Sequence, residues 1–425
     1  MYHAEKNWLL AREQYGSRKN KTAIECALNK RLIFDILRQT KLPAGICSCD
    51  LHSCYDRVVH SFAPIAMQRA GAPKTAVESM FKTIQKLKHV VRTSHGDSEL
   101  SFGGEDWRIF KQLHGVGQGN GAGPAIWAVI STVFFDLLRE KGYGFKMKSP
   151  LSKLALHLAG CGFVDDTDLF QIGLEADDYV SVAAKLQEAL KWWETCTKVS
   201  GGAIVPRKSW YGLVSFEWVD GEWSYGSDFT DAEVTVADMK GDQSQLKTIN
   251  PEEAKRMLGV FLAIDGNNKV QIKHMRRVAE EWYEKVRVGH LTRYDAWTAL
   301  HTTIMKKLDY PLIALTLTEA ECNGIMAPVL SGGLSQIGIC QSMARALVYA
   351  PTKYQGLGIN KLYTTQGLGH VRALINHIWR DTDTGKLLRT SLEFAKLEAG
   401  VRGSLFALDY NTYGHLCEDT WITHL

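Results

Sequence analysis

The chain has 425 residues, more than one compact core usually holds, so it reads as two or three subdomains. Hydrophobic residues at 45% and charged residues at 23% are the proportions of a globular protein and exclude a largely disordered chain. A net charge of +4, from 50 Lys and Arg against 46 Asp and Glu, excludes a global basic field, so any nucleic-acid contact must come from local stripes. Nine Cys, an odd number with no CxxC pair, point to reduced thiols inside a cell, in nucleus or cytoplasm. Cys47, Cys49 and Cys54 cluster, but no Cys/His pair complements them at zinc spacing; Cys47 and Cys49 read as small fillers on one face of a strand. No apolar run is long enough to span a bilayer, and MYHAEKNWLL is too polar for a secretory leader.

In chain order, residues 23–39 carry apolar positions at helical spacing, and AGICSCDL reads as a short buried strand. A helix is expected from Tyr55 to Gln68, and another from Lys74 into KTIQKLKHVV with Lys82, Lys86 and His89 on one face. Residues 90–114 alternate and contain the turn signals HGDS and GGED, as short antiparallel strands do. The Gly-rich run HGVGQGNGAGP leads into an apolar helix from about Ala125 to Leu138. KLALHLAG and CGFVDDTDLFQIG are expected as strands, then a helix from about Asp177 to Cys196, then a strand AIVPRKSWYGLVSF. MLGVFLAI-DGNN-KVQI has the form of a hairpin with Asp265-Gly266 in its turn. From about Lys273 helical patterns dominate, in HMRRVAEEWYEKV, YDAWTALHTTIMKKL and LSQIGICQSMARALVY. The expected division is therefore α/β with antiparallel pairing over 1–270 and helices over 271–425.

The chemistry lies in two groups of carboxylates. FVDDTDLF puts Asp165 and Asp166 at a tight turn between apolar strands; a turn-forming Asp is the bland reading, and a cation site is the other. CSCDLHSCYD puts Asp50 at the end of a buried strand, where it could also cap a helix. If the two strands are sheet neighbours, Asp50, Asp165 and Asp166 converge, and three such carboxylates repel unless cations lie among them. Mg²⁺ takes oxygen ligands, and two ions about 4 Å apart can clamp an in-line phosphoryl displacement.

These motifs, in this order, resemble reverse transcriptases of non-LTR-like retroelements, with a flavour of diatom and other protist elements. The residues that carry the resemblance are Gln14-Tyr15-Gly16-Ser17-Arg18, Asp50 with Tyr55 and Asp56, Gln118-Gly119, and Phe163-Val164-Asp165-Asp166. After them come the long helix, a glycine pair, Lys208, and the hairpin around Leu258-Gly259-Val260. The likeness is strong over about 12–265. It implies an α+β right-hand polymerase fold: an antiparallel-sheet palm, fingers short at the N-terminus, and a mainly helical thumb and C-terminal region. It implies an RNA-directed DNA polymerase acting on an RNA template, a DNA primer and dNTPs, with two Mg²⁺ ions (or Mn²⁺) held by Asp50, Asp165, Asp166 and the Leu51 carbonyl.

Position by position, Tyr55 would be a steric gate against the 2′-hydroxyl, and Gln118 and Gly119 would lie under the incoming nucleotide. Lys208 would meet the pyrophosphate, and Arg18 the triphosphate, from a segment whose Gln14 faces nucleic acid. Basic residues in HMRRVAEEWYEKVR would track the duplex backbone. The chain departs from the family in lacking further fingers strands upstream, an endonuclease, a C-terminal zinc knuckle and a ribonuclease H constellation. Tyr55 and FVDD set it apart from RNA-dependent RNA polymerases. The reading from another class is an inactive RNA-binding scaffold or the fragment of a decayed element.

Overall fold

The computed structural model describes residues 1–104, 114–226, 229 and 231–425; the end of the expected GGED turn and the alternation just after it lie outside them. The architecture is mixed α+β, and it divides into two compact units. The first comprises residues 1–26, 42–147 and 157–250; the second comprises 27–41, 148–156 and 251–425. The first unit thus ends at Asn250 and the second resumes at Pro251, with two earlier segments belonging to the later residues.

The first unit is built on a five-stranded sheet: β1 (Ala44–Cys49), β2 (Gly160–Phe163), β3 (Asp166–Ile172), β4 (Trp210–Val214) and β5 (Lys247–Ile249). Their order is β5-β4-β1-β3-β2, with only the β5–β4 pair parallel. β1 is the central strand, which is why AGICSC is small and apolar almost throughout. Cys47 and Cys49 alternate onto one face with their sulfurs 3.8 Å apart, buried in the core as fillers.

Two helices supply much of that core: α1 (Gly123–Lys141) and α2 (Tyr179–Val199). Asp178 caps α2 by accepting from the Ser181 N–H at 2.8 Å. Leu186 of α2 presses on β1 so closely that a Cβ on Gly45 would lie 3.0 Å from it. The Trp193 ring meets Phe134 at 5.4 Å edge-on and Phe135 at 5.1 Å, locking α2 to α1.

Several elements differ from the sequence expectation for local reasons. Residues 52–57 form turns and the helix begins only at Phe62, because Tyr55 O and Val58 O accept the N–H groups of Val116 and Gly115. KHVV is not helical: Lys88–Thr93 pairs with Gly96–Gly103, so His89 leaves the face of Lys82 and Lys86. Two successive β-branched residues, Val90 and Val91, favour that outcome. Pro206 interrupts the strand expected from Ala203, and a 3₁₀ turn Pro206–Lys208 precedes β4.

In the second unit the hairpin pairs Lys255–Met257 with Val260–Leu262 about Leu258 and Gly259, which have φ of 50° and 89°. Asp265-Gly266 is not its turn. KVQI instead opens the helix Lys269–Val288, and Gln271 turns back to accept the Phe261 N–H at 2.8 Å. LSQIGICQSMARALVY is broken: Leu334–Gln336 and Arg345–Tyr349 flank a linker with Gly338 at φ 80°. Among the described residues no helix is long and apolar enough to cross a membrane.

The second unit is held by buried charge. Helix Ala23–Thr40 belongs to it from Ala27 on, and Asp35 there pairs with Arg31 at 2.9 Å and Arg38 at 2.5 Å. Asp35 also accepts the Trp421 N–H at 2.8 Å, and Arg38 reaches Glu418 at 3.2 Å. The Trp421 ring lies 4.6 Å from His370, whose Nε2 donates to Leu312 O at 3.2 Å. Burial, aided by the charges of His424 and Arg31, lowers the His370 pKa to about 4 from 6.5.

The sign follows directly. As pH falls below 6.5 the unfolded chain binds a proton that folded His370 refuses until about 4, so stability declines across that window. At 1.36 kcal/mol per pKa unit the loss is roughly 3 kcal/mol. His370→Gln keeps a donor for Leu312 and does not titrate. Thermal melts between pH 7 and 4 should therefore show a shallower acid limb for His370→Gln than for wild type; parallel curves would refute the assignment.

Candidate active site

The register of the sheet brings the carboxylates together. β1 and β3 pair with Cys49 opposite Thr167, so one step further sets Asp50 opposite Asp166. β2 and β3 form a hairpin in which Phe163 faces Asp166, leaving Val164 and Asp165 as its turn. Asp50, Asp165 and Asp166 thus share one end of the sheet, where antiparallel neighbours lie about 4.5–5.5 Å apart at Cα. Asp165 and Asp166 are exposed, and the Asp50 side chain is 32% exposed.

The turn is costly. Val164 sits at φ 60°, a left-handed conformation that costs a β-branched residue about 1–2 kcal/mol. Gln14 holds it there. Its Oε1 accepts the Val164 N–H at 2.9 Å, and its Nε2 donates to the Val164 carbonyl at 3.1 Å. The same amide donates to Ser131 Oγ at 3.1 Å and accepts the Gly16 N–H at 2.8 Å, using both lone pairs and both protons. Trp127 Nε1 of α1 adds a second donor to the Val164 carbonyl at 2.5 Å. Gly16 permits this approach, since a Cβ there would lie 2.5 Å from the Val164 nitrogen. Gln14 is fully buried and so is not the nucleic-acid-facing residue expected from the sequence.

Asp50 is fixed by its backbone. Its N–H donates to Ser209 Oγ at 3.1 Å, its carbonyl accepts the Val205 N–H at 2.9 Å, and the His52 N–H bonds Ala203 O at 2.9 Å. Leu51 therefore occupies the non-hydrogen-bonded position of its bridge with Ile204, with its carbonyl directed away from that partner. Lys208, 61% exposed, places Nζ 3.4 Å from Asp50 Oδ1, a pairing the sequence reading did not anticipate.

Tyr55 lies on the same rim. Burial pushes its phenol pKa up, with the charges of Cys54 and Asp165 adding to the effect; the Cys54 thiol is raised by burial, then by Asp165 and Asp56. The Gly-rich loop is bound to this segment. Gln118 Nε2 donates to Asp56 Oδ2 at 2.8 Å, and Gly115, at φ 88°, runs so close that a Cβ would lie 2.5 Å from the Asp56 backbone. Gly119, at φ 81°, is exposed beyond it. Arg18 is used elsewhere: it grips Glu5 through Nε at 2.5 Å and Nη2 at 2.9 Å, donates to Ala11 O, and is only 6% exposed.

The donor set at the rim is entirely oxygen, which suits Mg²⁺. Lys208 already stands as a cation at Asp50, so the site tolerates positive charge. Among the described residues no group of three or more His, Cys, Asp or Glu closes on a point by itself, so an ion here would draw further ligands from water and phosphate oxygens, as Mg²⁺ does. Sequence reading singled out neither the clamping role of Gln14 nor that of Trp127. A Trp in the first turns of an apolar helix, whose N–H must find a buried acceptor, was the available signal.

No protein-family model matches the sequence, and neither does any curated relative. Similar solved structures include telomerase from Candida albicans in complex with the TWJ fragment of telomeric RNA, at 10% identity and TM-score 0.40, matched over 100% of this chain and 57% of that one. Telomerase from Candida tropicalis is similar in complex with the same type of fragment (12%, TM-score 0.33, 95% and 53%) and in its apo form (11%, TM-score 0.35, 99% and 57%). The chain spans a little over half the length of these structures.

Because four bonds converge on one buried amide, Gln14→Ala should cost roughly 2–3 kcal/mol by stranding the Val164 and Gly16 N–H groups. Chemical denaturation reads this directly. A variant as stable as wild type would show that the turn holds its conformation unaided.

Proposed function

We propose that this chain is an RNA-directed DNA polymerase of a retroelement, extending a primer 3′-hydroxyl with dNTPs by phosphoryl transfer on an RNA template. The observation that carries the reading is the shared sheet end: Asp50 one register step from the Asp165–Asp166 turn, Lys208 on Asp50, and Tyr55 beside Asp165. Two Mg²⁺ ions (or Mn²⁺), held by Asp50, Asp165, Asp166 and the Leu51 carbonyl, would supply the 3′-hydroxyl activation and the charge neutralisation that this chemistry needs. In this reading the sheet carrying the carboxylates is the palm, and the helical second unit includes the thumb.

The chain's own residues do the positioning. Gln14 and Trp127 keep the Asp165 turn from relaxing, so the carboxylates meet substrate preorganised. Lys208 moves from Asp50 to the departing pyrophosphate when substrate arrives, offering a proton or a charge. The Tyr55 ring forms a floor that excludes a 2′-hydroxyl. Gln118 and Gly119 present an exposed amide and an open backbone to the nucleotide. Arg18 takes part in triphosphate binding only if its pair with Glu5 opens.

Primer extension on poly-rA with oligo-dT, Mg²⁺ and dTTP or rTTP tests the proposal. Wild type should incorporate dTTP and not rTTP, and Asp165→Asn/Asp166→Asn should incorporate neither. Tyr55→Ala should improve relative use of rTTP by about tenfold, or about 1.4 kcal/mol of discrimination. Lys208→Gln should slow incorporation on the order of 100-fold. A folded wild type that binds the template yet extends nothing would sink the enzyme reading in favour of an inactive RNA-binding scaffold.

A further inference from the structure

Beside the rim, the first unit contains an open cavity of about 760 Å³. One wall is the segment that leaves the catalytic strand and its neighbour: His52, Val205, Pro206 and Arg207. The other wall is residues 238–247, a stretch that carries none of the motif residues. The two walls contribute Arg207, Lys240 and Lys247 against a single carboxylate, Asp238. That three-to-one balance stands out in a chain whose charges nearly cancel.

Asp238 offsets one of the three cations, its charge acting on Lys240, and the lining keeps a net positive charge. The Asp238 Oδ1 accepts the Lys240 N–H at 2.7 Å and the Asp242 N–H at 3.0 Å, so it serves to close its own loop. The loop is tied back by the strand pair Thr235–Ala237 with Gln243–Gln245, which sets Lys240 at its tip. The cavity also adjoins the reaction centre. The Val205 N–H bonds the Asp50 carbonyl, His52 lies two residues beyond Asp50, and Lys208 next to Arg207 points its ammonium at Asp50.

We propose that this cavity is a pyrophosphate-binding site, in which Arg207 and Lys240 hold the inorganic pyrophosphate released at the rim while Lys208 returns to Asp50. The class of ligand follows from the lining. A compact anion of high charge density gains from several converging cations, where a guanidinium can engage two phosphate oxygens at once. The cavity is several times larger than a diphosphate, so the anion would lie against the Arg207 and Lys240 walls with water filling the rest. The assignment of pyrophosphate as a product rests on the polymerase reading; binding of the anion does not.

Isothermal titration of inorganic pyrophosphate into the full chain, in EDTA so that no metal contributes, tests the site separately from catalysis. Wild type should bind. Arg207→Ala/Lys240→Ala should bind at least about tenfold more weakly (1.4 kcal/mol or more), and Arg207→Lys/Lys240→Arg should recover most of the affinity. Asp165→Asn/Asp166→Asn should bind as wild type does, since its loss concerns the rim alone. Equal binding by wild type and the double alanine variant, or none by wild type, overturns the proposal. So does displacement of pyrophosphate by a 12-mer of oligo-dT, which would make the cavity part of a strand path. Pyrophosphate binding in a protein that extends no primer would leave the anion site standing and count against the polymerase reading alone.

Discussion

A single buried amide holds the arrangement at the end of the sheet. Gln14 satisfies both backbone groups of Val164 and, with the Trp127 Nε1 bond to the same carbonyl, holds a β-branched residue at φ 60°. If the turn relaxed into an ordinary conformation, the hairpin would re-aim Asp165, because side-chain direction in a strand alternates with every residue. The strain is local and the restraint comes from two other places in the chain: the N-terminal segment through Gln14, and α1 through Trp127 and through Ser131, which bonds Gln14. A carboxylate that must keep its position in the face of repulsion needs this kind of over-determination.

Asp50 is held by a different principle. Its side chain is partly exposed, but the backbone on either side is stitched to residues 203–205 and Ser209. One carboxylate site is thus rigid through a strained turn, and the other through continuation of strand pairing past the formal end of β1. Lys208 comes from just beyond that same stitched segment, so its reach to Asp50 is set by the local chain and not by a distant element. The cation-lined cavity is bounded by the same stitched segment, through His52, Val205, Pro206 and Arg207.

Much of the sheet was legible in the sequence because its strands are short, apolar and bounded by turns. AGICSC, the hairpin about Val164-Asp165, and the helix capped by Asp178 lie where the patterns put them. Asp50, Asp165 and Asp166 were legible as carboxylates at strand ends, and the structure puts them at one end of the sheet; Tyr55, Gln118 and Lys208 were singled out only through the family resemblance. Gln14 was legible only as part of a motif, since nothing local says that a polar side chain will be fully buried on a turn 150 residues away. The pairing of Arg18 was not legible, because a sequence does not display that Glu5 will claim both arms of its guanidinium. Local signals also misled where two turn sites competed: Asp265-Gly266 carries the stronger composition, yet Leu258-Gly259 turns, with Tyr310 Oη donating to the Leu258 carbonyl at 2.8 Å. The tie between the helix containing Asp35 and Trp421 was not legible either, because its partners are remote in the chain.

That remoteness bears on how the chain is made. Asp35 and the Trp421 N–H that it accepts are 386 residues apart. At a synthesis rate of roughly 5–20 residues per second, the helix waits about 20–80 seconds for that partner. The sheet of the first unit, with all its strands between Ala44 and Ile249, can assemble during the wait. Through that interval Asp35 lacks the Trp421 N–H and Arg38 lacks Glu418. The sheet end that carries Asp50, Asp165 and Asp166 can therefore form before the second unit has its last partner.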